Sequence, residues 1–408
     1  MYIGRHLERV VRRVSRSFPV VLVTGPRQVG KTTMVRAMGE AEVPARGYVS
    51  LDEFGPLELS QSDPELFLQR YAAPVTVDEV QRAPGLLRAI KAAVDREARP
   101  GGYWLTGSQS FPLMGAVSES LAGRVAVLNL LGLSQAEAAG VPAAEASFRP
   151  DRATGVASGV SSEFGPVFER VVRGAFPRLR HDDAPDAPTF YGSYVQTYLE
   201  RDVRSVLRVS DLAAFRRFLR IAAARVGGLL DLSDLARNTG IAVSTAKEWM
   251  GVLEATHQVY LLRPYFEKIA KRQIRTPKLY FADTGLVCHL TGWTSAQAAG
   301  SGAMAGALLE NYVVAEILRS RLHRGETEPI WFYRDKERRE VDVVIAEDGV
   351  LYPVEVKLTA SPTQADARGI AALSRTKAKL GHGAVVCLAP ERIPLTPTID
   401  VLPVGHIQ

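Results

Sequence analysis

Gly25, Pro26, Arg27, Gln28, Val29, Gly30, Lys31, Thr32 and Thr33 bring two glycines, a lysine and two hydroxyls into one short stretch. That set suits a polyanion. The glycines let backbone N–H groups curl around phosphate oxygens, and Lys31 puts a point charge on the β- and γ-phosphates. The Thr32 hydroxyl faces Mg²⁺, and a helix N-terminus adds its dipole. Every fixed position of G-x-x-x-x-G-K-[ST] is filled. Val20 to Val23 reads as a buried strand before the loop, and "TTMVRAM" opens a helix after it, which is the context the motif needs. The stretch predicts ATP and Mg²⁺ as ligands, held by Gly25 through Thr33.

"APVTVDEVQRAP" (73–84) is a second strand, ending in Asp78-Glu79. Asp78 supplies a carboxylate for the Mg²⁺ site, and Glu79 is the candidate base for the attacking water. "GGYWLTGSQSF" (101–111) is a third strand with Ser108 and Gln109 at its carboxyl end, the edge where open α/β sheets bind ligands. A polar side chain there could sense the γ-phosphate or orient the attacking water, and Ser108 is the candidate ATP contact. Arg124 in "SLAGRV" is the candidate charge-stabilising finger, with Arg27 as its competitor inside the loop.

A different chemistry is written in "REVDVVIAEDGVLYPVEVKLTA" (339–360). Two apolar strands flank an Asp-Gly turn. Alternation puts Asp342 opposite in face to Val341 and Val343, and Glu355 and Lys357 opposite to Val354 and Val356. If the strands pair, Asp342, Glu355 and Lys357 converge. Two carboxylates can hold a hard divalent ion, which lowers the pKa of a bound water and neutralises a scissile phosphate. Lys357 would stabilise that charge or help position the water. The D-x(12)-E-x-K spacing resembles the restriction-endonuclease-like nucleases. The resemblance implies one more metal-side carboxylate on a preceding helix, and Glu310 in "GALLENYVVAEI" stands in the matching place.

Further matches join these stretches into a whole. "GPRQVGKTT", "VDEVQ", "LTGSQ" and "LAGRV", with "GAFPRL" (174–179), "YVQTYLERDV" (194–203), "TPKLYFADTGL" (276–286) and "GALLENYVVAEI" (306–317), resemble the AAA-type ATP-binding proteins of bacteria and archaea. In that family a P-loop ATPase of the signal-transduction kind is fused to a C-terminal domain of uncharacterised function. The resemblance implies ATP binding and turnover, with the purpose left open.

The elements between must position these groups. The sequence predicts an α/β chain. Residues 1–140 form a parallel-sheet P-loop domain, opened by a helix with Leu7, Val10, Val11 and Val14 inward. The Ala-, Gly-, Ser- and Pro-rich stretch 141–163 reads as a flexible linker. Residues 164–285 form a helical and winged-helix domain, and 286–408 a restriction-endonuclease-like domain. In 231–266, Ser233 caps a first helix, Gly240 ends it and Ser244 caps a second. "EKIAKRQIRTPK" is the wing, whose Lys268, Lys271, Arg272, Arg275 and Lys278 suit phosphate, with a structural or regulatory lever role for the winged helix as the alternative to DNA contact. Arg201-Asp202 reads as an ion pair.

Composition sets the limits. The chain has 408 residues, 46% hydrophobic and 23% charged, as in soluble globular proteins. No apolar run approaches the ~20 residues a membrane span needs. Cys288 and Cys387 are the two cysteines, unpaired in spacing, which excludes a disulfide framework and a cysteine zinc site. His323 and His382 lack ligand spacing, and the basic first helix runs into a strand without a cleavage-like spacer. Cytosol and no membrane partner are the expectation. Basic and acidic residues number 17 and 15 over 1–150, 20 and 15 over 151–300, and 13 and 14 over 301–408. The middle third is therefore the anion-facing one, with DNA, bound through its phosphates, as the candidate partner. A protein partner or a second copy is the alternative, with ATP gating an inactive C-terminal domain; a DNA-stimulated motor is a third reading.

Overall fold

The computed structural model describes residues 2–107, 111–142, 144–152, 160–199, 212–265, 276–327, 330–374, 376 and 378–408. They fall into two compact units. One comprises Met1–Leu133 with Ala255–His257 and Leu322–Glu326, and the other Ser134–Glu254, Gln258–Arg321 and Thr327–Gln408.

In the first unit, β1 (Val20–Thr24), β2 (Gly47–Ser50), β3 (Val75–Asp78), β4 (Tyr103–Thr106) and β5 (Val125–Asn129) form one sheet of order β2-β3-β4-β1-β5. All its pairs are parallel. β1, β3 and β4 are buried along their whole length. Helices cover both faces of such a sheet, so its strands read as unbroken apolar runs. The helix Leu86–Arg96 packs Leu86, Leu87, Ile90 and Val94 into the same core as Val20, Leu22, Val77 and Leu105. The opening helix Leu7–Val14 buries Leu7, Val10 and Val11, while Val14 is half-buried. One consequence positions the site. β4 separates β1 from β3, with Val23 in register with Thr106 and Val77 with Leu105. The carboxyl end of β4 therefore lies between the loop leaving β1 and the acids ending β3.

The second unit is built on a nine-stranded mixed sheet. Its strands are β6 (Val259–Pro264), β7 (Lys278–Phe281), β8 (Trp331–Arg334), β9 (Glu340–Glu347), β10 (Val350–Val356), β11 (Lys379–Leu380), β12 (Gly383–Cys387), β13 (Ile393–Thr396) and β14 (Ile399–Pro403). The order is β13-β14-β12-β10-β9-β8-β6-β7, with β11 beside β10. β9 and β10 form the hairpin that the Asp-Gly turn implies: Asp348 and Gly349 have φ of 50° and 75°, and Val350 pairs with Glu347. Two positive φ values in a two-residue loop match the strand twist.

Next to this sheet, the helices Leu232–Thr239 and Val243–Ala255 flank Gly240, which ends the first at φ 79°. The cap differs from the expected Ser233. Asp231 accepts from the N–H groups of Ser233 and Asp234, both at 2.9 Å, because an aspartate one position outside the helix reaches two free donors. Trp249 of the second helix wedges between Phe215 and Phe218 of the helix Leu212–Ala224, with ring centroids 5.3 and 5.4 Å apart.

Three expectations about organisation read differently in the structure. The strands assigned to a winged helix are not separate from the C-terminal strands: β6 runs parallel to β8, Arg263 opposite Trp331 and Pro264 opposite Phe332. An open strand edge needs a partner, and β8 supplies it. The described parts of 141–163 pack within the second unit. Phe148 is buried and its N–H donates to Ser320 Oγ at 2.7 Å, while Arg149 pairs with Glu347 at 2.8 Å. Lys278, expected on the wing, is 3% exposed and points into a cluster of acids, because it opens β7 rather than a loop. Lys268, Lys271, Arg272, Arg275, Arg201 and Asp202 lie outside the described residues. Among the described residues, no helix is long and apolar enough to cross a membrane.

Candidate nucleotide-binding site

The loop from β1 to the helix Lys31–Glu40 owes its shape to three residues of positive φ: Gly25 at 143°, Gln28 at 62° and Gly30 at 91°. Residues of positive φ let the N–H groups of such a loop turn to one side, as an anion nest requires. Gly25 also allows a close approach, since a Cβ there would stand 2.0 Å from the Leu130 carbonyl oxygen. Arg5, 5% exposed, braces the loop from below. It donates to the carbonyls of Val29 and Leu131, each at 2.7 Å, and so ties the loop to the chain leaving β5.

Lys31 is 6% exposed, and its ammonium donates to the carbonyls of Gly25 at 3.0 Å and Pro26 at 2.7 Å. A buried ammonium held by its own loop is a cation kept at the mouth of an anion nest. Thr32 Oγ1 donates to Asp78, with Oδ1 at 2.9 Å and Oδ2 at 3.0 Å. The hydroxyl that would meet Mg²⁺ thus rests on the carboxylate that would hold its water shell. These residues fit the ion, which when bound would neutralise phosphate charge.

Asp78 is further fixed by Tyr48, whose hydroxyl donates to Oδ2 at 3.0 Å, and by the Thr106 hydroxyl, which donates to Oδ1. Thr106 also accepts the N–H of Glu79 at 3.3 Å. Burial and then the Asp78 charge hold the Tyr48 phenol well above its ordinary pKa, so it remains a donor. Glu79 leaves β3 in the left-handed region, at φ 60° and ψ 41°, and Gln81 Nε2 donates to its carboxylate. A non-glycine residue held there is strained, and such strain gathers at functional sites.

His257, half-buried and at φ 53°, belongs to the same unit. Burial first, and then the Lys31 charge, pull its imidazole down to about 4, so at neutral pH it is an uncharged neighbour of the loop lysine.

The structure thus brings together Gly25, Pro26, Gly30, Lys31, Thr32, Asp78 and Glu79. Arg27 on the loop is half-buried, and Thr33 at the helix start is exposed. Arg124 is not brought there. It precedes β5, at the amino edge of a parallel sheet, and Val20 donates to its carbonyl at 3.2 Å. The loop leaves the opposite edge, a strand's length or ~17 Å away at ~3.3 Å per residue. The Arg124 guanidinium pairs with Asp95 at 2.6 Å. Ser108 lies outside the described residues. Sequence reasoning misses Tyr48, Thr106, Arg5 and His257. The first two are polar residues in otherwise apolar strands, a signal open to use.

The second candidate centre lies in the second unit. β9 and β10 pair through Val343 and Val354, so the next positions outward are Asp342 and Glu355. Both are buried, and the Val356 N–H donates to Asp342 Oδ2 at 2.9 Å. Burial and then Asp342 push the Glu355 carboxyl above its ordinary range. Lys357 Nζ lies 3.2 Å from Glu355 Oε2. Glu310, on the helix Ala305–Leu322, is raised by burial and then by Asp342. The expected four groups are therefore together, yet a fifth is among them. Lys278 Nζ lies 2.6 Å from Glu310 Oε1, 2.7 Å from Glu340 Oε1 and 3.7 Å from Asp342 Oδ1. Burial alone would push its ammonium down; Tyr280, Glu310, Asp342 and Glu340 outweigh that and hold it above its ordinary pKa. Among the described residues, no group of three or more His, Cys, Asp or Glu is placed to hold a metal ion. This donor set does not fit a divalent cation.

The residues shared with the recognised stretches mostly clamp backbone. Asn311 accepts from the Phe281 N–H at 2.7 Å and donates to its carbonyl at 2.9 Å. Asp283 accepts from Ala175 N at 2.7 Å, Leu286 N at 2.9 Å and Tyr191 OH at 2.6 Å. Glu316 accepts from Gln135 N at 2.9 Å and pairs with Arg319 at 2.6 Å, fully inside.

A family model described as an AAA domain matches residues 17–139. Two models described as domains of unknown function, DUF8612 and DUF4143, match 166–297 and 305–407. Two mycobacterial relatives, uncharacterized protein Rv2008c of Mycobacterium tuberculosis and uncharacterized protein Mb2031c of Mycobacterium bovis, are each 31% identical over 399 residues. The alignment covers 97% of this chain and 82% of theirs. Among solved structures, the Walker-type ATPase paby2304 of Pyrococcus abyssi is 15% identical with a TM-score of 0.40, over 71% of this chain and 96% of that one. A chain of Drosophila ORC bound to DNA is 10% identical with a TM-score of 0.24, over 70% and 94%.

Proposed function

We propose, from the premise that the chain belongs to the same family as the uncharacterized mycobacterial proteins Rv2008c and Mb2031c, that it is a Mg²⁺-dependent ATPase working as a nucleotide-driven switch. The AAA domain at 17–139 supports the nucleotide, and one contact carries the reading: Thr32 on Asp78, at 2.9 and 3.0 Å, beside the buried Lys31 ammonium. That is the arrangement a phosphate-bound Mg²⁺ requires of its protein.

In this reading Gly25 through Thr33 wrap the phosphates, and Lys31 exchanges its loop carbonyls for phosphate oxygens. Thr32 and Asp78 hold the ion. Glu79, aimed by Gln81, takes the proton of the attacking water. Arg27 is the guanidinium already on the loop, and Ser108 contacts the γ-phosphate. Residues 164–285 and 286–408 then form the output. DNA is its candidate partner through the helix pair around Gly240.

The test is ATP hydrolysis by the purified chain with and without Mg²⁺. Lys31→Ala should lose nucleotide binding, and Glu79→Gln should bind ATP while turnover falls by a factor of about 10²–10⁴. A wild-type chain that neither retains nor consumes ATP ends the reading. Turnover unchanged by Glu79→Gln removes Glu79 as the base. DNA that leaves turnover unaffected removes DNA as the partner.

A further inference from the structure

The acids of β9 and β10 are spoken for. Lys278 opens β7, where its backbone is fixed from two sides: it is in register with Leu262 of β6 and bridges to Leu229. With the strand held, its side chain has one direction to take. The ammonium reaches Glu310 and Glu340 at 2.6 and 2.7 Å and Asp342 at 3.7 Å, with the side chain 4% exposed. Tyr280, two residues on and so on the same face, donates to the same Glu310 oxygen. The other oxygen of Glu340 accepts from Arg334 at 3.2 Å, Asp342 Oδ2 from the Val356 N–H, and Glu355 Oε2 from Lys357. On the remaining side the helix Arg368–Leu373 lies directly on the cluster: a Cβ at Gly369 would stand 2.0 Å from Glu355 Oε1.

A divalent ion in this place needs about six oxygens at roughly 2.0–2.6 Å. Glu310 Oε1, both oxygens of Glu340 and of Asp342, and Glu355 Oε2 already face protein donors, and the space between Glu310, Glu340 and Asp342 holds an ammonium. A compact cation cannot share that space with Lys278. Removing one member of a buried charge set is far costlier than the set is stabilising, so the ammonium is not easily displaced.

We propose that Lys278 is the resident cation of this cluster: it takes the position a nuclease would give to a metal ion, and the C-terminal acids bind a side chain instead. The hairpin Glu340–Val356, the helix of Glu310 and the strand of Lys278 are thereby locked to one another by charge. This goes beyond the ATPase reading and does not depend on it.

The experiment uses the full chain without nucleotide, so that the P-loop takes no part, and titrates Mn²⁺ up to about a thousandfold above micromolar protein while free Mn²⁺ is counted by electron paramagnetic resonance. Wild type should bind no Mn²⁺ that Asp342→Asn removes. Lys278→Met should gain about one Mn²⁺ per chain, lost again when Asp342→Asn is added. One wild-type Mn²⁺ that disappears in Asp342→Asn overturns the proposal. So does a folded Lys278→Met chain that gains none. Should Lys278→Met not fold, reductive methylation of wild type read by mass spectrometry decides. Lys278 stays unmodified with and without Mn²⁺ if it is resident, and becomes modified with Mn²⁺ if the ion displaces it.

Discussion

The Tyr48 hydroxyl stands 3.0 Å from Asp78 Oδ2, so a side chain from β2 steadies the carboxylate that ends β3. Register makes this possible, because Ser50 pairs with Asp78 and Tyr48 with Thr76. A hydrogen bond to a charged group contributes about 1.5–3 kcal/mol when buried, and less here because Tyr48 is half-buried. Tyr48→Phe should leave the fold intact and raise the Mg²⁺ concentration for half-maximal ATP turnover by roughly tenfold. Since burial and Asp78 keep the phenol protonated, wild-type turnover should show no alkaline limb below pH 10 from this group. An unchanged Mg²⁺ requirement in Tyr48→Phe would show that Asp78 needs no such support.

His257 offers a pH handle on the first unit. Its folded pKa of about 4 lies below the ordinary 6.5, so between those values the unfolded chain holds the extra proton. Stability therefore falls as pH drops from 6.5 towards 4 and levels off below. Because the group is only half-buried, the loss will be modest. His257→Gln should flatten the decline in urea midpoint between pH 7 and pH 5. His257→Lys, which sets a second cation beside Lys31, should lower the melting temperature at neutral pH. Equal pH slopes in wild type and His257→Gln would dismiss the imidazole as their source.

How much of this can be read from the chain depends on the range of the interactions. The nucleotide loop is legible because its chemistry is local: Gly25, Gly30, Lys31 and Thr32 need only the strand before them and the helix after. The β9–β10 hairpin is legible for the same reason, since Asp348-Gly349 fixes the register that sets Asp342 against Glu355. Lys278 misleads because its neighbours in sequence are basic, whereas its neighbours in space come from residues 310, 340 and 342. Arg124 follows a familiar stretch but sits at the amino edge of a parallel sheet, a fact that only strand direction reveals. That the two rear stretches share one sheet is not legible either, because β6 finds its second partner in β8, far along the chain.

Cys288 is 1% exposed, and burial followed by Asp283 pushes its thiol up to about 12. The thiolate is the reactive form. Against an ordinary value of 9.0, the shift alone lowers the thiolate fraction at pH 8 by about a thousandfold. Iodoacetamide should therefore leave Cys288 unmodified in the native chain and label it at once in urea. Above pH 9 the unfolded chain releases this proton first, so the thiol works against the folded state as pH climbs. Rapid native labelling at pH 8 would mean that the helix Thr284–Thr291 opens on the reagent's timescale.

Gly174 ends the helix Phe164–Arg173 at φ 74°, and a Cβ there would stand 1.9 Å from the Tyr191 hydroxyl and 2.6 Å from Asp283 Oδ1. Both obstacles belong to the buried hydrogen-bonded knot on Asp283, which cannot retreat without freeing the N–H groups of Ala175 and Leu286. Gly174→Ala should cost about 3–5 kcal/mol, the sum of left-handed strain and a broken knot. Tyr191→Phe alone removes one donor to a charged acceptor, about 1.5–3 kcal/mol. The pair should be coupled. Tyr191→Phe takes away the nearest clash, so the double variant should be more stable than the two single losses added together. Strict additivity of the urea midpoints would mean that the Tyr191 hydroxyl is not what forbids a side chain at 174.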